Sequence, residues 1–288
     1  MKIATMTFLK GIDRVEGGIL ENFLISLRTW QSCPPHESFL AIESGGPEDE
    51  TPKLASVLCV KYGVTPIIVT PRKDDKYWNK CRGLNHCIQQ TSEESNIIMQ
   101  LDVDMILHPD HIAIALDRFD QGGRILYQGF NRSLVEPVTI TTCHGQEAAN
   151  QWEQLDKKSR YVPTGDELEE PRHSNPYDID GPPSKAHGPC QAAHRAWWFY
   201  IKGYDEVING WGADDADIVR RASLTGRRTV WAPDDIHMFH QKHPRLWQDV
   251  TQEEKQDRMQ HNLRNRRYSY HKFHEKAFRR NPKGWGGR

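Results

Sequence analysis

Over its first 120 residues the chain alternates short apolar runs with segments of helical period, and no other feature restricts the fold as much. "KIATMTFL" reads as a strand, and "GILENFLISLRTW" sets Ile19, Leu20, Phe23, Leu24, Leu27 and Trp30 at helical spacing. "SFLAIESGG", "TPIIVT" and "NIIMQLDVDMIL" read as further strands. "PKLASVLCVKYG", stopped by Gly63, "WNKCRGLNHCIQQT" and "PDHIAIALDRF" read as the helices that join and follow them. Strands connected through helices of this length build a mostly parallel sheet with right-handed crossovers. Such sheets bind ligands at the carboxyl ends of their strands.

One strand ends in "LDVDMIL", with Asp102 and Asp104 at its carboxyl end. Residues two apart on a strand share a face, so both carboxylates can address one site. Hard oxygen ligands suit Mg²⁺ or Mn²⁺ bridging to diphosphate oxygens; the alternative is a solvated strand end. In "GWGADDADIVRR", residues 210–221, Asp214, Asp215 and Asp217 crowd behind Trp211 and two glycines. Carboxylates so close are compensated by a metal, a proton or a hydroxyl-rich ligand. Otherwise they line the first turn of a helix through Ile218, Val219 and Ala222, whose dipole favours anions. After "RRTVWAPDD", a strand and turn, "IHMFH" puts His237 and His240 three apart. Those imidazoles converge on a metal if the backbone turns; without a turn they are neutral surface histidines.

Composition removes several classes. A net charge of −1 leaves no global field for nucleic acid or membrane. No stretch approaches the ~20 apolar residues of a membrane span, and the N-terminus lacks a long apolar signal core. The six cysteines, Cys33, Cys59, Cys81, Cys87, Cys143 and Cys190, have no CxxC spacing and read as reduced thiols of a cytoplasmic protein. There is no internal repeat and no glycine-rich phosphate loop, so kinase, P-loop and dehydrogenase readings lose their support.

Taken in order, "LDVDMILHP", "KGYDEVINGWGADDADIVRRA" and "HMFH" resemble the inverting GT-A glycosyltransferases, above all the β-1,4-galactosyltransferases and the chondroitin-polymerase-like family 2 enzymes. The resemblance spans roughly residues 2–245 and is strongest over 188–240. It implies an α/β GT-A fold, Rossmann-like, with a mostly parallel central sheet and flanking helices. It divides the chain into a domain at 1–245, with a nucleotide-binding half to about 110 and an acceptor half beyond it, and a basic helical extension at 246–288.

The resemblance also assigns residues. Asp104, His237 and His240 would hold Mn²⁺ (or Mg²⁺), with Asp102 nearer the ribose. Thr7, Glu43, Arg82 and Asn85 would lie beside the nucleotide. Trp211, Gly212 and Asp214 would face the sugars, and Asp215 would be the general base that takes the proton of the attacking hydroxyl. The activity implied is transfer of a hexose (Gal, GalNAc or Glc) from a UDP-sugar to a glycan, lipid-linked or other hydroxyl acceptor. A nucleotidyltransferase or phosphohydrolase using the same Asp/His set is one alternative, and a non-catalytic sugar-nucleotide-binding domain is another.

Three segments carry secondary expectations. Residues 145–186, polar and rich in Pro and Gly, read as a solvated loop or an acceptor-selecting insertion. Residues 241–250 read as a lid closing over the donor or as a plain connection. The basic tail reads as a helix up to Pro282, packed on the domain or contacting an anionic acceptor, carrier or membrane surface. In "AWWFY" at least one aromatic is expected to line the acceptor cleft, the others packing in the core.

Overall fold

The computed structural model describes residues 1–73, 75, 77–160, 188–210, 212–243, 250–282 and 284–285. In chain order the elements are β1 (Ile3–Leu9), α1 (Asp13–Glu16), α2 (Ile19–Arg28), β2 (Glu37–Glu43), α3 (Thr51–Lys61), β3 (Thr65–Val69), α4 (Lys80–Gln90), β4 (Ile97–Leu101), β5 (Met105–Ile106), α5 (His111–Asp120) and β6 (Ile125–Gly129). There follow β7 (Asn131–Leu134), α6 (Gln146–Lys158), β8 (Ser159–Arg160), β9 (Cys190–His194), α7 (Arg195–Ile201), α8 (Asp214–Leu224), β10 (Arg228–Trp231), β11 (Met238–His240) and α9 (Gln252–His274).

The central sheet runs β10-β6-β9-β4-β1-β2-β3. Its neighbours are parallel except β9, which is antiparallel to both β4 and β6. The period-2 alternation of β1 explains the two cores. Ile3 and Leu9 pack with Leu20, Phe23 and Leu24 of α2 and Ile112 and Phe119 of α5. Ala4, Met6 and Phe8 face the opposite layer, with Leu84 and Ile88 of α4, Trp197 and Trp198 of α7 and Ile218 and Val219 of α8. A smaller sheet, β5-β11-β7-β8, stands beside the carboxyl end of β4.

Three expectations are corrected. Residues 146–158 are not loop but α6, which buries Ala148, Trp152 and Leu155 against Trp30 and Phe239; residues 161–187 lie outside the described part. Helix α9 stops at His274, well before Pro282, because Lys276 turns left-handed at φ 53°. The chain then doubles back and packs Phe278 and Trp285 on the second core. The aromatics of "AWWFY" sit on α7, which follows the end of β9 paired with Ile97, the opening residue of β4. They are therefore at the end of the sheet away from Asp102, where Trp197 and Tyr200 line a separate cleft, and they do not stand beside the acids at Asp102.

Candidate active site

Strand β4 ends at Leu101 and the chain turns at once, with Met105 N donating to the Asp102 carbonyl at 3.3 Å. Asp102 and Asp104 thus lie on a turn, not along a strand, and they serve different partners. Asp104 is clamped from β11: His240 pairs with Met105, and Gln241 N donates to the Asp104 carbonyl at 2.8 Å. His240 Nε2 lies 3.6 Å and His243 Nε2 3.2 Å from Asp104 Oδ2. One ligand atom from each of Asp104, His240 and His243 lies within 4.8 Å of the others, a set that can hold a metal ion. Burial alone would raise the Asp104 pKa, but the His243 hydrogen bond and the charges of His240 and Arg14 hold the carboxyl far below its usual range.

His237 does not join this set. His237 precedes β11 while His240 ends it, and the two side chains meet different partners. His237 is buried against Trp152 and Phe239, with Nε2 3.0 Å from Asp156 Oδ1 and Nδ1 3.2 Å from the Asp234 carbonyl. The imidazole that joins Asp104 and His240 is instead His243, three residues past His240 in "HQKH", where the strand has ended.

The second cluster centres on Lys80, the first residue of α4. Its Nζ lies 2.8 Å from Asp102 Oδ1, 3.5 Å from Asp214 Oδ2 and 4.0 Å from Asp215 Oδ1. A cation in the first turn of a helix opposes the helix dipole, so these carboxylates are what stabilise it there. Burial would lower the Lys80 pKa, yet Asp102, Asp215 and Asp214 raise it well above an ordinary lysine's. The Asp215 carboxyl is pushed far up, first by burial and then by Asp214, against the pull of Lys80. Its Oδ1 is buried without a hydrogen bond, while 23% of the side chain stays open. Gly188, just before β9, leaves room for it: a Cβ there would stand 2.2 Å from Asp215 Oδ2, and its φ of 120° is foreign to other residues. Underneath, Gln100 donates to Asp102 Oδ1 at 2.9 Å and Gln191 to the Asp215 carbonyl at 3.1 Å.

Asp217, in contrast, turns into the fold, accepting from Ser269 and Arg280 at 3.0 Å each and from Arg221 at 3.3 Å. The crowd of acids at the start of α8 is thus split between an open site and a buried tie. The approach to α8 is left-handed at Gly210, Gly212 and Ala213, with φ of 65°, 85° and 77°. Gly212, expected at the sugar pocket, backs onto α9, where a Cβ would stand 2.5 Å from Asn262 Oδ1. Trp211 lies outside the described residues.

The expected nucleotide contacts are engaged within the protein. Glu43, buried, accepts from Asn79 N at 2.9 Å and pairs with Lys10 at 3.2 Å. Arg82 binds Asp75 and the Thr70 carbonyl, and Asn85 brackets Tyr204 through its N–H at 2.7 Å and its carbonyl at 2.9 Å. Thr7 is sealed in the sheet with its hydroxyl unpartnered. Together Glu43 and Arg82 brace the start of α4, and so fix Lys80. No sequence pattern links Lys80 to acids so distant in the chain; only its place against the helix dipole hints at a partner.

No family model matches the sequence, and no curated protein matches it. Solved structures do match. S. aureus TarS superposes on 92% of this chain and 43% of its own, with TM-score 0.53 and 11% identity. TarS 1-349 superposes on 94% of this chain and 73% of its own, at TM-score 0.51 and 13% identity. TarS 1-349 in complex with UDP-GlcNAc covers 92% and 66%, at TM-score 0.50 and 13% identity. This chain therefore spans less than half of the longest of these neighbours. At such identities the likeness is one of fold, and the fold is GT-A, as the motif resemblance implies.

Proposed function

We propose that the chain is a metal-dependent inverting glycosyltransferase that moves a hexose or N-acetylhexosamine from a UDP-sugar to a hydroxyl acceptor. One observation carries the reading: a basic, partly open carboxylate, Asp215, is tied through Lys80 and Asp102 to the turn that presents the Asp104, His240 and His243 ligand set. The donor class draws on the TarS complex with UDP-GlcNAc, together with the fold that the two share.

The oxygen and imidazole donors fit Mn²⁺ or Mg²⁺, with two imidazoles favouring Mn²⁺; a bound ion would neutralise the departing diphosphate. Asp215 takes the proton of the acceptor hydroxyl as its oxygen bonds to the anomeric carbon and the bond to UDP breaks on the opposite face. The raised pKa makes Asp215 a stronger base, and the ammonium of Lys80 opposes that rise.

A screen of UDP-sugars for metal-dependent UDP release, followed by acceptor trials and the anomeric configuration of the product, tests the proposal. Asp215→Asn should lower turnover by ~10²-fold or more with donor binding nearly intact. A product of retained configuration, or donor binding lost along with turnover, would refute the role given to Asp215.

A further inference from the structure

At the end of the sheet away from Asp102, where β6 and β10 begin, lies a cleft of about 420 Å³. Arg124, Arg227, Trp197, Tyr200 and Phe278 line it, and among the described residues no carboxylate does. The two arginines are brought together by the sheet itself, since Arg228 N donates to the Arg124 carbonyl at 2.9 Å. Arg227 lies over the Trp197 ring at 5.0 Å and donates to the Ile125 carbonyl at 3.2 Å, while its Nε is buried without a partner. Burial and the neighbouring Arg124 lower its pKa to about 10. Tyr200 is 45% exposed, its ring stacked on Phe278 at 5.2 Å, with the Arg279 guanidinium 4.7 Å from it. Among the described residues none of these three arginines has an ion-pair partner.

Two guanidinium groups facing one open cleft repel each other unless an anion sits between them, and planar forks match oxyanions bidentately. A partly exposed aromatic ring beside them, backed by Phe278, offers apolar contact to a ligand ring. We propose that this cleft is a second binding site, for an anionic saccharide whose oxyanion lies between Arg124 and Arg227 and whose ring rests on Tyr200. The choice of a saccharide over a nucleobase rests on the glycosyltransferase reading; the anion preference does not. The length of β6 separates the cleft from the transfer site by roughly 16 Å at ~3.3 Å per residue. The cleft therefore holds a distant part of a chain-like acceptor and raises the effective concentration of its reactive end.

Calorimetric titration in low salt with EDTA present tests this away from any transfer chemistry. Hexagalacturonate and a sulfated heparin hexasaccharide carry the charge in two forms, maltohexaose lacks it, and AMP carries it on a nucleoside. At least one charged hexasaccharide should bind, with maltohexaose about tenfold weaker or worse. Arg124→Glu, at an exposed side chain, and Tyr200→Ala should each weaken binding about tenfold, whereas Asp104→Ala should leave it unchanged. Failure of both charged saccharides to bind, equal binding of maltohexaose, indifference to Arg124→Glu, or tighter binding of AMP would each overturn the proposal. Loss of UDP release in a separate assay would overturn only the transfer reading.

Discussion

Asp215, the base proposed for the transfer, departs from what stability alone would select. Three carboxylates share one ammonium around Lys80, and the Asp215 carboxyl is raised by burial and by Asp214. A group whose pKa is higher in the fold than in the unfolded chain binds its proton more tightly when folded, so stability falls as pH climbs above the ordinary carboxyl range. Asp215→Asn removes that penalty and leaves Lys80 paired with Asp102 and Asp214. The variant should be more stable than the parent by about 1 kcal/mol at neutral pH, with the gain vanishing toward about pH 4. Urea melts across that range would measure it, and a variant less stable at neutral pH would refute the charge argument. The histidines give a second contrast. Asp104→Ala or His243→Ala should weaken Mn²⁺ binding by ~10-fold or more in a calorimetric titration. His237→Ala should leave Mn²⁺ affinity unchanged and instead destabilise the packing with Trp152 by about 1–3 kcal/mol. That Asp104 and His240 come together is signalled locally, by an acid pair at the end of an apolar run and a histidine near a strand end. His243 was not singled out, since choosing among H-x-x-H steps requires knowing where the strand stops.

At the scale of elements, the alternation that predicts strands and helices from β1 to α5 is local, and those segments form close to where their periods place them, except that the strand expected through Asp102 and Asp104 breaks at Leu101 into β4 and β5. The errors share one cause, which is packing that only the tertiary structure decides. Helix α6 offers just three buried apolar points in a polar stretch, and α7 carries its aromatics to the far end of the sheet because β9 runs antiparallel. The loop into α8 shows the same dependence on a remote partner. His261 and Asn265 of α9 both bind the Asn209 carbonyl at 2.8 Å, and Asn262 fills the space above Gly212. Gly212→Ala meets two separable penalties: a left-handed backbone, worth about 1 kcal/mol, and a collision with Asn262, worth about 1–3 kcal/mol more. Adding Asn262→Ala should restore the steric part and leave the backbone part. Chemical denaturation of the double-mutant cycle would show this as a favourable coupling of at least about 1 kcal/mol; additive effects would mean that α9 does not shape the loop.

Across the whole molecule, the C-terminal segment is tied to the acids that follow the sheet, a connection no local pattern announces because its partners are more than 60 residues apart. Arg280 donates to Asp217 at 3.0 Å and sits 2.9 Å from Asp205 as an ion pair whose angle falls short of a hydrogen bond. Asn281 donates to the carbonyls of Lys202 and Tyr204, and its own carbonyl accepts from Glu206 N. The segment after α9 thereby holds the 202–206 turn that Asn85 grips from the other side. Breaking a buried pair by removing one partner strands the other charge, so Arg280→Ala should destabilise the fold by about 3–5 kcal/mol. The loss should depend on pH in a defined direction. The Asp205 carboxyl already stands above its usual pKa, through burial and Asp217, and Arg280 and Arg221 restrain the rise. Without Arg280 it rises further, so the folded variant holds its proton over a wider range and stability falls more steeply as pH increases. Below about pH 3, where the carboxyl is protonated in both states, the deficit from this group disappears; it grows as pH rises through the unfolded carboxyl range. Urea denaturation of parent and variant at several pH values would reveal a widening gap with rising pH. A gap that stayed constant would mean that Arg280 contributes by packing and not by charge.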